Sequence, residues 1–312
     1  MNSLLLVKII ATILAFALGL IGGLLPIKLH QYSPFKVQIG EAMAGGIFLG
    51  GGLVHMLSDS QYGMFEKKIQ FPFPAVLCGV GFYFTIFLEV ILTPKLLKMV
   101  AKKESKKGTK LNQESSLESS TESSSQNEII NEDKHDATNE RKVLVSDTKG
   151  EETLGHHHNQ ISEYLNSKTS SKALPIILVT ALCFHAVLEG LALGACRQVN
   201  ESISITIAEL AHKPFASFAI GAATYRAYSP KLLVIFIFLF SLGSPLGIFL
   251  GMLAATFGSS MVSLVIISLA AGTFLFAGTL EAKEVLNGDR DWIKYIVTLM
   301  GFALMSIVAI WN

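Results

Sequence analysis

Residues 183–194 read Cys183-Phe-His185-Ala-Val-Leu-Glu189-Gly190-Leu-Ala-Leu-Gly194. They lie inside a long apolar run, so the two ionisable groups decide what that run is for. On a helix His185 and Glu189 stand at i and i+4, one turn apart on one face. An imidazole nitrogen and a carboxylate oxygen at that spacing can grip one divalent cation of the zinc type. Ionisable groups in hydrocarbon are expensive, and they usually mark a site or a pathway. The plainer alternative is a hydrogen-bonded pair joining two helices. Gly190 and Gly194 form a small-xxx-small pair, which lets a second helix approach closely.

The apolar setting extends over most of the chain. Of 312 residues, 51% are hydrophobic, and mean hydropathy is +0.49, well above the level of a soluble domain. Crossing the hydrocarbon takes about 20 apolar residues. Eight runs meet that length, at roughly 4–25, 38–60, 73–98, 173–197, 203–226, 231–256, 259–282 and 292–311. The first run is too long for a secretory h-region and is followed by others like it, so it reads as a crossing. The expected class is an all-α membrane protein. Residues 1–98 hold crossings one to three and 173–312 hold crossings four to eight. Cys78, Cys183 and Cys196 make no disulfide framework. Nothing in the composition calls for a nucleic-acid partner; the lipid bilayer is the surrounding medium.

The charges collect in one place. Thirteen of the 24 acids and eleven of the 25 Lys/Arg fall between residues 99 and 172. This stretch is too polar to build a core, and it reads as a disordered loop. It contains His135 and the triplet His156, His157 and His158. A His-rich tract binds zinc weakly, so the triplet is a candidate metal sensor; the alternative is a solvated linker. The loop opens with Lys95, Lys98, Lys102, Lys103, Lys106, Lys107 and Lys110, which assigns it to the cytosol by the positive-inside rule. Both termini then lie outside. The sequon Asn200-Glu-Ser202 is on the outer side, close to the membrane.

Further ionisable groups sit within the runs. Run five carries Glu209 and His212 at i and i+3, with Lys213 beside them; these should face run four or an aqueous cavity. Lys213 can supply the charge of a second cation, or snorkel from a helix end. Run six has Ser244 next to Pro245, which frees a backbone carbonyl. Glu89 lies late in run three, on a candidate proton or metal path. Glu41, near the start of run two, is expected at the interface. Trp292 and Trp311 bracket run eight as an aromatic belt would.

An internal repeat is visible. Gly46-Ile-Phe48-Leu begins a segment of run two that ends at His55, and Gly272-Thr-Phe274-Leu begins its counterpart in run seven, ending at Glu281. An acid follows each, Asp59 and Glu284. Four crossings lie between the two runs, so they thread the membrane in opposite senses. That is the mark of inverted repeats in secondary transporters.

Taken together, the chain resembles the ZIP (Zrt/Irt-like) family of divalent metal-ion transporters over essentially its whole length. The motifs carrying the resemblance are His185-x-x-x-Glu189-Gly-x-x-x-Gly194, Ala211-His212-Lys213, His55-x-x-x-Asp59, Ser244-Pro-Leu-Gly247 and Gly272-Thr-Phe-Leu275 with Glu281. The His-Lys pair resembles one subfamily in particular. The resemblance implies a 3+2+3 bundle of eight helices, in which helices 1–3 and 6–8 form an inverted repeat. It implies transport of Zn2+, with Fe2+ and Mn2+ as further candidates, into the cytosol, from outside the cell or from a lumen. The plasma membrane is the default location, and a homodimer is compatible with the reading. The implied ligands are His185, Glu189 and His212. Many relatives have a second metal site; Ala186, Lys213, Ala216 and Ser244 depart from that pattern, so one site is expected. His55, Asp59, Glu89, Glu209, Lys213, Ser244 and Glu281 are pathway or proton-linked candidates. No prosthetic cofactor is expected. The alternative from another class is an intramembrane zinc hydrolase, which needs three ligands, an open position and a base; no His-Glu-x-x-His motif is present.

Overall fold

The computed structural model describes residues 3–95, 151–255, 261–285 and 291–310; side chains at 30, 32, 151–171, 284, 285 and 291 are not described. Among the described residues every regular element is helical. The elements are α1 (Ser3–Tyr32), α2 (Pro34–Gly50), a π-helical stretch (Gly51–Leu57), α3 (Ser58–Glu66), α4 (Phe73–Lys95), α5 (Glu151–Ala195), α6 (Val199–Ala227), α7 (Pro230–Ala254), α8 (Met261–Val285) and α9 (Asp291–Ile310). The chain divides into a larger unit, Met1–Pro94 with Ser171–Asn312, and a smaller one, Lys95–Ser170. The site lies wholly within the larger unit.

Two features depart from the sequence reading. First, α5 begins at Glu151, inside the stretch expected to be disordered up to residue 172. Low hydrophobicity argues against a packed core, but it does not forbid a helix where Glu, Leu, Gln and Lys are good helix formers. His156, His157 and His158 fall in this part, so their side chains lie outside the described residues, as does His135 altogether. Second, run two is a continuous helical path from Pro34 to Glu66 with a π-helical turn at its middle. The π-turn carries His55, and such turns recur at functional sites.

Seven helices are long and apolar enough to cross a membrane among the described residues. The eighth expected crossing, α6, has 29 residues, but Glu201, Glu209, His212, Lys213 and Arg226 dilute its apolarity. The helix least like a span is the one loaded with chemistry. Its surroundings confirm an inverted polarity. Outward faces are apolar, as at Ile296, Leu299, Ile307 and Ile310 of α9, whereas Glu189, Glu209, His185, His212 and Lys213 are buried. In water such a surface would aggregate; in lipid it is the stable arrangement.

Small residues bring the helices together. Gly190 and Gly194 of α5 meet Gly247 and Gly251 of α7, where a methyl on Gly190 would stand 3.0 Å from the Gly247 Cα and one on Gly194 2.8 Å from the Gly251 Cα. The expected close approach is therefore made by α7. Without hydrophobic drive in lipid, such contact supplies the packing energy. Gly247→Val is expected to cost at least about 1–3 kcal/mol by forcing these backbones apart. Thermal melts of the detergent-solubilised protein should show it as a lowered midpoint. Elsewhere α1 packs on α6, with the Ser217 hydroxyl donating to the Gly19 carbonyl. Gly46 of α2 packs on Thr298 of α9, and Gly272 of α8 packs on Cys78 of α4. Phe48 and Phe274, which match in the internal repeat, touch each other at 4.9 Å between ring centroids.

Candidate metal centre

His185 and Glu189 come from α5 and His212 from α6, and all three are buried. The Glu189 Oε2 lies 3.6 Å from His185 Nε2 and 3.2 Å from His212 Nε2. One donor atom from each residue lies within 4.8 Å of the others. A tetrahedral zinc with bonds of about 2.0 Å holds its ligands about 3.3 Å apart. The two separations from Glu189 bracket that spacing.

The proton on His185 can be placed. Its Nδ1 lies 3.2 Å from the Ala270 carbonyl and 3.0 Å from the Thr273 hydroxyl. A carbonyl only accepts, and the Thr273 hydroxyl already donates to that same carbonyl at 2.7 Å. Hence Nδ1 carries a hydrogen and donates, and Nε2 is turned toward Glu189. His185 Nε2 and His212 Nδ1 have no hydrogen-bond partner. An imidazole held this way is oriented as a metal donor by its outer partner. Thr273→Val should therefore lower zinc uptake about tenfold, by freeing the ring to turn; initial uptake rates against zinc concentration would show it. Phe274 completes the support. Its ring stacks on His185 at 4.1 Å and 12°, and meets His212 edge-on at 4.7 Å.

Lys213 lies beside this cluster and is almost fully buried. Its ammonium donates to the Ser244 hydroxyl, sits 4.5 Å over the Phe240 ring, and lies 3.7 Å from Glu209 Oε1. That last distance suits an ion pair but is too long for a hydrogen bond. Both Glu209 oxygens accordingly lack a hydrogen-bond partner. Of the two sequence readings for Lys213, snorkelling to the interface is excluded by its burial. Glu209 likewise does not reach water at a helix end. Ser244 also donates to the Ala186 carbonyl at 3.4 Å, so the position next to Pro245 ties α7 to α5.

His55 and Asp59 form a separate pair, with Nδ1 to Oδ2 at 2.7 Å. They line a crevice together with Met56, Glu189, Ile205, Ile267 and Ala270. The crevice links this pair to the three-donor cluster. The remaining candidates stay apart. Glu281 is buried on α8, against α2, where a methyl on Gly45 would stand 3.1 Å from the Glu281 Cβ. Glu89 is half-buried on α4. Neither belongs to the cluster. Glu41 is buried within the protein, where Arg226 pairs with it at 2.6 Å.

Sequence reasoning missed Thr273 and Phe274 as supports for the imidazoles, although both stood in the repeated Gly-x-Phe-Leu motif. It also missed Lys8, a buried ammonium that donates to the Gly194 and Cys196 carbonyls at 2.6 and 2.8 Å. A cation there satisfies the end of α5 and complements its dipole. No spacing within run one marks that role.

These features define a class: a polytopic helical membrane protein with a buried two-imidazole, one-carboxylate cluster between helices. A model of the ZIP zinc transporter family matches residues 5–309. Zinc transporter 1 of Oryza sativa subsp. japonica is 30% identical, over 100% of this chain and 85% of its own length. Human zinc transporter ZIP1 is 26% identical, over 96% and 89%. Protein zntD of Dictyostelium discoideum is 38% identical, over 55% of this chain and 28% of its own length. The chain belongs to the ZIP family, and it is a transporter of divalent metal ions rather than an enzyme.

Proposed function

We propose that the protein carries Zn2+ through the membrane toward the cytosol, and that His185, Glu189 and His212 bind the ion in transit. One observation carries the reading: three donor atoms converge, buried, within 4.8 Å of one another, and both imidazoles lie 3.2–3.6 Å from the Glu189 oxygen, close to the spacing a tetrahedral zinc imposes. Two nitrogens and one oxygen suit Zn2+ better than the harder Mn2+, with Fe2+ intermediate. His55 and Asp59 are the first stop, since their crevice leads to Glu189. Lys213 supplies a fixed positive charge beside the ion where a second metal could otherwise sit, and its attraction to Glu209 keeps that carboxylate from competing for the cargo.

The Lys/Arg distribution supports a cytosolic loop between the third and fourth crossings and external termini, and the plasma membrane is the location the family resemblance favours. Matched packing supports the 3+2+3 bundle with its inverted repeat: α2 meets α9 at Gly46, α8 meets α4 at the equivalent Gly272, and the equivalent Phe48 and Phe274 meet each other. Sliding of one helix group against another gives the site access to each face in turn.

Zinc flux into proteoliposomes holding the purified chain tests this, with Fe2+ and Mn2+ as competitors. The expected result is saturable zinc entry, inhibited least by Mn2+. Zinc that binds without crossing would refute transport by this chain.

A further inference from the structure

The helices sort into two packed groups. α1, α5, α6 and α7 are joined by the Gly190/Gly247 and Gly194/Gly251 approaches, the Ser217–Gly19 bond and the Lys8 cap. α2, α4, α8 and α9 are joined by Gly46 and Gly301 between α2 and α9, Gly272 between α8 and α4, and Gly278 against Leu49 between α8 and α2. The donors His185, Glu189 and His212 ride on the first group, and the crevice at His55 lies against the second.

Along α6, Ile205 lines that crevice, whereas Arg226 stands in the last turn, about 30 Å further on at 1.5 Å per residue. Along the α2 path, Glu41 precedes His55 by about 20 Å on the same rise. The crevice and the Arg226–Glu41 pair therefore occupy opposite ends of the site. At the Arg226 end the two groups are pressed together by a dry cluster of Val37, Phe218 and Ala222, with Leu29 packed on it. Arg226 bonds Glu41 beside this plug at 2.6 Å, with Glu41's side chain 10% exposed and Arg226's 38% exposed.

We propose that the Arg226–Glu41 ion pair is a latch that holds the cytosolic end of the site shut while the crevice at His55 and Asp59 is open. The proposal rests on the transport reading above and on its sidedness. A cation leaving toward the cytosol must part α6 from α2 at the plug, and the same movement breaks the pair. Glu41 is too buried to lose its partner without a replacement. Water or the departing cation takes that place, so the carboxylate exchanges an internal cation for the cargo at the moment of opening. Arg226 and Glu41 thereby act as positioning residues for the access change and stay clear of the donors themselves.

The test uses the full chain carrying Ala222→Cys, a plug position with no exposure, in sealed inside-out vesicles. Labelling by a membrane-impermeant maleimide is measured as the increment over the protein without that substitution. With the latch intact, Cys at 222 should label slowly. Adding Glu41→Gln or Arg226→Gln should speed labelling at least about threefold and raise the KM for external zinc by a similar factor, because less protein waits in the outside-open state. The charge swap Glu41→Arg with Arg226→Glu, and the conservative Arg226→Lys, should both return labelling to the slow rate. The latch is overturned by neutral variants that label and transport as the parent does, or by a swap that labels as fast as either single variant. Faster labelling from both faces of the membrane would signal a loosened fold and would overturn it equally. Failure of the transport reading is separate: the Ala222→Cys parent would move no zinc while its labelling pattern stayed measurable.

Discussion

Replacing His185 or Glu189 by alanine is expected to cut zinc uptake by about two orders of magnitude at normal abundance in the membrane. Loss of an outer partner alone costs about 10–100-fold in metal affinity, and these residues are donors. Each removes one of three converging atoms. Glu189 carries the larger burden, because its Oε2 is the atom that both imidazoles face, at 3.6 and 3.2 Å. Its loss also removes the only negative charge of the cluster. Initial rates of radioactive zinc uptake, normalised to surface protein, give the result. Uptake within twofold of the parent in Glu189→Ala would assign the cargo to other residues.

The second large effect is on stability. Lys213→Met keeps the side-chain volume but strips Glu209 of its cation. Both groups are essentially unexposed, and neither Glu209 oxygen has a hydrogen bond in reserve. Removing one partner of a buried pair typically costs about 3–5 kcal/mol, because the other charge is left uncompensated. The variant should therefore melt well below the parent and reach the membrane poorly. Lys213→Met with Glu209→Gln should recover most of the loss, since neither charge then remains. Thermal unfolding of the solubilised proteins tests both. A single variant as stable as the parent would mean that Glu209 is not charged beside Lys213.

Why these residues were legible and others were not follows from where their partners lie. His185, Glu189 and His212 announce themselves by helical spacing within apolar runs, where any ionisable group is conspicuous. The glycines at 190 and 194 announced a close neighbour, but nothing in their own run named α7 as that neighbour. Thr273 and Phe274 work on His185 across 88 and 89 positions of chain, and a threonine or phenylalanine in a crossing looks like ordinary lining. The pairing of Glu41 with Arg226 is equally nonlocal; each alone resembles a charge at a helix end. The π-turn at Gly51–Leu57 leaves no mark on hydropathy, because it changes the backbone hydrogen bonds and not the residue types. In α6 the residues that make the site also lower the average hydropathy, so that crossing was legible by its length and its neighbours rather than by its apolarity alone.

The most direct measurement is zinc-edge X-ray absorption on the purified full chain loaded with one equivalent of Zn2+. Two imidazole nitrogens and a carboxylate oxygen at about 2.0–2.2 Å, with one imidazole lost in His212→Ala, is the pattern expected from His185, Glu189 and His212. A sulfur shell at about 2.3 Å, or a first shell unchanged by His212→Ala, would place the ion elsewhere and contradict the account.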